Sequence, residues 1–166
     1  MTKAVLLAVL FSIVAGILQS TVFSHVAFFS AVPDLALGVL VYTAYVNGPV
    51  PGQLTGFFSG LLLDFLSAAP LGLNCLVRTV LGAAAGMMKG AFFLDFLVLP
   101  MILMASATVV KALAYFILHL IFAPAVPTYS LTSPVLWAEL ALNTLSAPVL
   151  FALLRRVKPL SAVKEK

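Results

Sequence analysis

An all-α polytopic membrane bundle is the fold class this sequence predicts, from three observations. Of 166 residues, 63% are hydrophobic and 8% are charged, against roughly 25% charged in an ordinary soluble domain. The mean hydropathy is +1.21. The apolar residues also fall into runs separated by Pro, Gly and charge. A soluble chain of this length leaves about 30% of its unfolded-chain surface exposed, and too little polar material exists here to cover it. The solvent for most of the surface must be lipid.

Crossing a hydrocarbon core of about 30 Å takes about 20 apolar residues. Six segments qualify as candidates: Ala4 to Phe23, Val32 to Val46, Gln53 to Ala68, Leu73 to Met88, Phe96 to Phe122, and Pro134 to Leu154. The first reads as a retained span, since its apolar part exceeds the roughly 7–15 residues of a signal-peptide core. The second and third are short, with 15 and 16 residues. Six transmembrane segments, or five with a re-entrant second segment, are therefore the two topologies. The whole chain, 1–166, reads as a single transmembrane domain, with a basic tail over 155–166.

Orientation follows from Lys and Arg near the span ends. Lys3 precedes the first segment, Lys89 lies between the fourth and fifth, and the tail carries Arg155, Arg156, Lys158, Lys164 and Lys166. The loops around Ser24 to Ala31, Ala69 to Gly72 and Ala123 to Ser133 carry none. With an even number of spans both termini are expected in the cytoplasm, and the basic tail suits anionic lipids.

Local signals refine the segments. Pro33 and Asp34 look like a helix start, with Pro in the first turn and a carboxylate at the positive end of the helix dipole. Asn47 to Gly52 is a turn by composition, so segments two and three form a tight hairpin. Pro100 either kinks the fifth segment or marks its true start.

The most informative pattern lies in segments three and four. Gly52, Gly56, Gly60, Asp64 and Ala68 recur every fourth residue, followed by Asn74, Arg78, Gly82, Gly86 and Gly90 at the same interval. Each set makes one ridge on its helix. The sets mirror each other about Leu71, which predicts facing ridges, a glycine-lined seam and an ion pair between Asp64 and Arg78. Small residues let membrane helices approach closely.

Other polar residues gather in the same half of the bundle. Asp34 opens segment two, Glu139 lies about 8 Å into segment six, and Lys111, Tyr115 and His119 share a face of segment five. An ionisable group at the bilayer centre costs roughly 2.5–3.5 kcal/mol, so such residues normally pair or line a cavity. Lys111 with Glu139 is the expected second pair. Two readings stay open for the cluster: an outward-opening polar pocket, or a buried ion-pair network holding the bundle together.

Enzyme signatures are missing from the sequence. His25 and His119 have no second His or Cys at ligand spacing. No nucleophile elbow or phosphate-cradling glycine loop occurs. A proton relay through Asp64, Glu139 and His119 explains these residues less economically than ion pairing does. Cys75 is alone and reads as a small buried hydrophobe. No catalytic residue, metal or cofactor is expected.

Pro33-Asp34-Leu35, the run Gly56-Phe57-Phe58-Ser59-Gly60-Leu61-Leu62-Leu63-Asp64, and Pro70-Leu71-Gly72 resemble the bacterial rod shape-determining protein MreD family. That resemblance implies a non-enzymatic inner-membrane scaffold of the cell-wall elongation machinery. Implied partners are MreC, the RodA and class B penicillin-binding protein complex, and the MreB filament, with no nucleic acid. It further implies a fold similar to the substrate-binding subunits of energy-coupling factor transporters. The family motif positions it marks are Pro33, Asp34, Gly56, Gly60, Asp64 and Gly72. A vitamin-binding subunit of such a transporter is the alternative function, and a helical bundle without a pocket is a third.

Overall fold

The computed structural model describes residues 2–21, 31–67, 70–91, 97–122, 126, 133–157 and 160. The described residues form six α-helices: α1 (Thr2–Thr21), α2 (Leu35–Asn47), α3 (Pro49–Leu66), α4 (Leu73–Met87), α5 (Val98–Phe122) and α6 (Pro134–Arg155). Each corresponds to one apolar segment of the sequence. By length and composition α1, α5 and α6 are long and apolar enough to cross a membrane, while α2 and α4 are shorter apolar helices. Ala68, His25, Lys158, Lys164 and Lys166 lie outside the described residues.

The shortness of α2 has a physical reason in its position. At 13 residues it is about 20 Å long, and it packs against all five other helices. Every residue from Ala36 to Ala44 is buried, as expected of a helix that is apolar all round. The ring of Tyr42 meets Phe151 of α6 edge-on, with centroids 5.3 Å apart. α2 is thus the axis of the bundle.

Around this axis large apolar side chains also face outward, and polar and charged ones are buried within the apolar core. Leu6, Leu10 and Val14 of α1, Leu113, Phe116 and Leu120 of α5, and Leu145, Val149 and Leu153 of α6 are all exposed. The interior holds Ser12, Asp34, Thr43, Thr55, Ser59, Asp64, Arg78, Glu139 and Asn143. Asp, Glu and Arg are almost never buried in soluble proteins unless paired. A large apolar exterior around an apolar core that also holds paired charges suits a lipid environment.

Helix ends follow the turn chemistry, with two adjustments. Gly48 alone joins α2 to α3, at φ +100°, and Pro49 and Pro51 enter the first turn of α3. A proline there gives up an N–H that has no helical partner anyway. At α2 it is Asp34 that caps, accepting from the Leu37 amide at 2.9 Å, so Pro33 stands before the helix and not in its first turn. Pro100 is the third residue of α5 and marks that helix's start.

The bundle has two distinct ends. Lys89 lies beside Gly48, and the Asn47 side-chain amide donates to the Leu160 carbonyl at 3.2 Å. The α2 to α3 link, the end of α4 and the base of the tail therefore share one end. Asp34 lies at the opposite end of α2.

Candidate functional site

Asp34 is where four helices are tied together. Its position as N-cap points the carboxylate along the head of α2, where the helix dipole favours negative charge. Arg78 of α4 donates from Nη2 to Oδ1 at 3.0 Å, and Lys111 of α5 donates from Nζ to Oδ2 at 2.7 Å. Lys111 also donates to Oε1 of Glu139 on α6, again at 2.7 Å. The expected pairing of Lys111 with Glu139 is present, and Asp34 extends it into a chain of alternating charge. Two cations and two carboxylates balance, which limits the penalty of desolvating them.

Asparagine and hydroxyl groups complete the cluster. The Asp34 backbone N–H donates to Asn143 Oδ1 at 2.7 Å, and Asn143 Nδ2 donates to Thr108 Oγ1 at 3.0 Å. Tyr115 donates from Oη to Asn74 Oδ1 at 2.9 Å. Sequence reasoning did not single out Asn143 or Thr108. A signal existed: Asn143 follows Glu139 by four residues and Thr108 precedes Lys111 by three, so each shares a face with a charge already identified.

The expected ion pair between Asp64 and Arg78 does not form. Asp64 instead accepts from the backbone N–H groups of Gly72 at 3.0 Å, Asn74 at 2.9 Å and Cys75 at 3.0 Å, and from Asn74 Nδ2 at 3.0 Å. Gly72, at φ +94°, is the N-cap of α4 and offers no side chain. The first turn of α4 thus exposes orphan donors, and a carboxylate on the neighbouring helix satisfies them. Asp64→Asn should cost about 1–2 kcal/mol, additively with Arg78→Gln to within about 0.5 kcal/mol. A denaturation double-mutant cycle in detergent checks this; strong coupling would restore the direct pair.

The same cap sets the register of the glycine seam. Gly52 meets the backbone of Gly82, Gly56 that of Arg78 and Thr79, Gly60 that of Asn74 and Cys75, and Gly86 that of Pro49 and Gly48. A Cβ on Gly60 would sit 2.6 Å from the Asn74 carbonyl oxygen. The helices are in backbone contact, as the ridges predict, but the pairs are symmetric about Ser67 and not Leu71. Asp64 draws the start of α4 back along α3, leaving Phe65, Leu66 and Leu71 exposed beyond it. Gly90 is not in the seam: a Cβ there meets nothing within 4 Å, and its φ of +74° belongs to the turn after α4.

Asp64, Glu139 and His119, the residues of the less economical relay reading, each have a separate partner among the described residues. Asp64 is held by the α4 start, Glu139 by Lys111, and His119 Nδ1 lies 2.7 Å from the Val126 carbonyl oxygen. The described residues form the second reading of the cluster, a buried ion-pair network. The ion pairs lock α2, α4, α5 and α6 together, and one side of them borders a cavity of about 470 Å³ reaching from α1 to Tyr115.

No curated protein and no solved structure matches the chain. The family model described as rod shape-determining protein MreD matches residues 1–157, which includes all six helices, the seam and the charge cluster. The chain belongs to the rod shape-determining protein MreD family.

Proposed function

We propose that this protein is a non-enzymatic scaffold subunit of the cell-wall elongation machinery, acting in the bacterial inner membrane through binding to an MreC-like protein. The observation that carries this reading is the bundle's construction. Asp34, Arg78, Lys111 and Glu139 cross-link helices, Gly52, Gly56, Gly60, Gly82 and Gly86 bring α3 and α4 into backbone contact, and many large apolar side chains face outward. Such a body is rigid and presents its surface to other membrane segments. RodA with its class B penicillin-binding protein, and MreB, would join through the same assembly.

In this reading all six helices cross the membrane, with α2 sheltered by the others. Lys3, Lys89, Arg155 and Arg156 all belong to the Gly48 end, so the positive-inside rule sets that end in the cytoplasm with both termini. The Asp34 cluster then sits in the outer half. The basic tail would contact anionic lipids.

Co-purification tests the proposal. The tagged full chain, extracted in mild detergent, is expected to retain an MreC-like single-span protein from the same organism in a fixed ratio. Recovery of the folded chain alone, under conditions that keep MreC intact, would refute the scaffold role.

A further inference from the structure

Arg78 is incompletely used by the ion-pair cluster. Its Nη2 serves Asp34 at 3.0 Å, but its Nη1 is buried and has no hydrogen-bond partner among the described residues. The side chain is 9% exposed, so water does not freely supply one. A charged donor left unsatisfied in a low-dielectric interior costs more than a neutral one. Arg78 also lines the cavity of about 470 Å³, a volume within the roughly 300–1,000 Å³ of small-molecule sites.

The lining of this cavity specifies a chemistry. Arg78 and Lys111 outnumber Asp34 among its charged side chains, because Glu139, which balances Lys111, stays outside it. The cluster is neutral overall, so what the cavity offers an oxyanion is the unused Nη1 of Arg78, whose planar guanidinium suits a phosphate or carboxylate oxygen. Gln19, Ser20 and Tyr115 add polar groups to the lining. Ile17 and Leu66 line the cavity too, and both are exposed on the outer surface. The cavity thus opens sideways between α1 and α3, past apolar side chains, onto the lipid-facing exterior.

We propose that the cavity between α1, α3, α4 and α5 binds a singly charged oxyanion, the phosphodiester of an anionic phospholipid headgroup, with Arg78 as its principal donor and the lipid's apolar part leaving between Ile17 and Leu66. A soluble phosphodiester would present the same group without the apolar part. The site is independent of MreC binding.

The purified full chain would be loaded with phosphatidylglycerol, phosphatidylcholine or the deacylated headgroup glycerophosphoglycerol, and retention read by native mass spectrometry. Phosphatidylcholine carries the same phosphodiester but adds a quaternary ammonium that would stand beside Arg78 and Lys111, so phosphatidylglycerol is expected to be retained at least about tenfold better. Arg78→Lys, which keeps a cation for Asp34 but removes Nη1, should lower that retention about tenfold. Ser20→Phe, at the exposed rim, should do the same by filling the cavity while leaving the basic tail intact. If Arg78→Lys does not fold, Ser20→Phe decides. Selective retention of glycerophosphoglycerol would keep the oxyanion site and assign it to a solute. Equal retention of both lipids, or of phosphatidylglycerol by wild type and Ser20→Phe, with no binding of glycerophosphoglycerol, overturns the proposal.

Discussion

Asp34→Asn is expected to destabilise the protein by about 3–5 kcal/mol, the usual consequence of removing one partner from a buried ion pair. The substitution keeps an oxygen for the Leu37 amide but withdraws the negative charge shared by Arg78 and Lys111. Arg78 is then a buried cation without a counterion, and Lys111 is left to Glu139 alone. The loss should fall when the orphaned cation is removed as well. Asp34→Asn with Arg78→Met is expected to be less destabilised than the sum of the two single variants by more than about 1 kcal/mol. Strict additivity in detergent denaturation would show that the 3.0 Å contact carries no energy.

Gly56→Leu should be comparably severe, for a steric reason. A Cβ at this position runs into the carbonyl of Arg78 and the amide nitrogen of Thr79, both backbone. Neither can rotate away, so α3 and α4 must separate. Overpacking costs about 1–3 kcal/mol where side chains can adjust, and the upper end or beyond is expected here. Separation also shifts Arg78 relative to Asp34, so the seam and the ion pair fail together. Gly90→Asn is the contrast: space is open, and Asn tolerates positive φ, so little change is expected. Fluorescence-detected size exclusion would report folded yield, and MreC co-purification would report assembly. A Gly56→Leu variant that keeps both would remove the seam from the account.

The Asp64 motif shows where sequence reasoning was informative and where it stopped. The four-residue spacing correctly identified two ridges that touch, since helical periodicity alone places those residues on one face. It could not give their register, because equal distance from a turn means equal depth only when both helices start level. Here a side chain on α3 caps α4, and the connecting residues loop beyond it. That offset separates Asp64 from Arg78 and frees Arg78 for Asp34, 44 positions earlier in the chain. A pairing at such separation leaves no local spacing to read.

Composition and periodicity by themselves determined the apolar character, the six helical segments and the small-residue faces, because each depends on a solvent or a local helical repeat. Gly72 and Gly48 were legible as breaks for the same local reason. Tertiary structure alone decided that α2 is the axis of the bundle, that Asp34 is the shared acceptor of two cations, and that a cavity borders Arg78. Those depend on which helices are neighbours. A buried charge must find a partner, but the energy that rewards pairing is the same whichever opposite charge supplies it, and only packing selects among them.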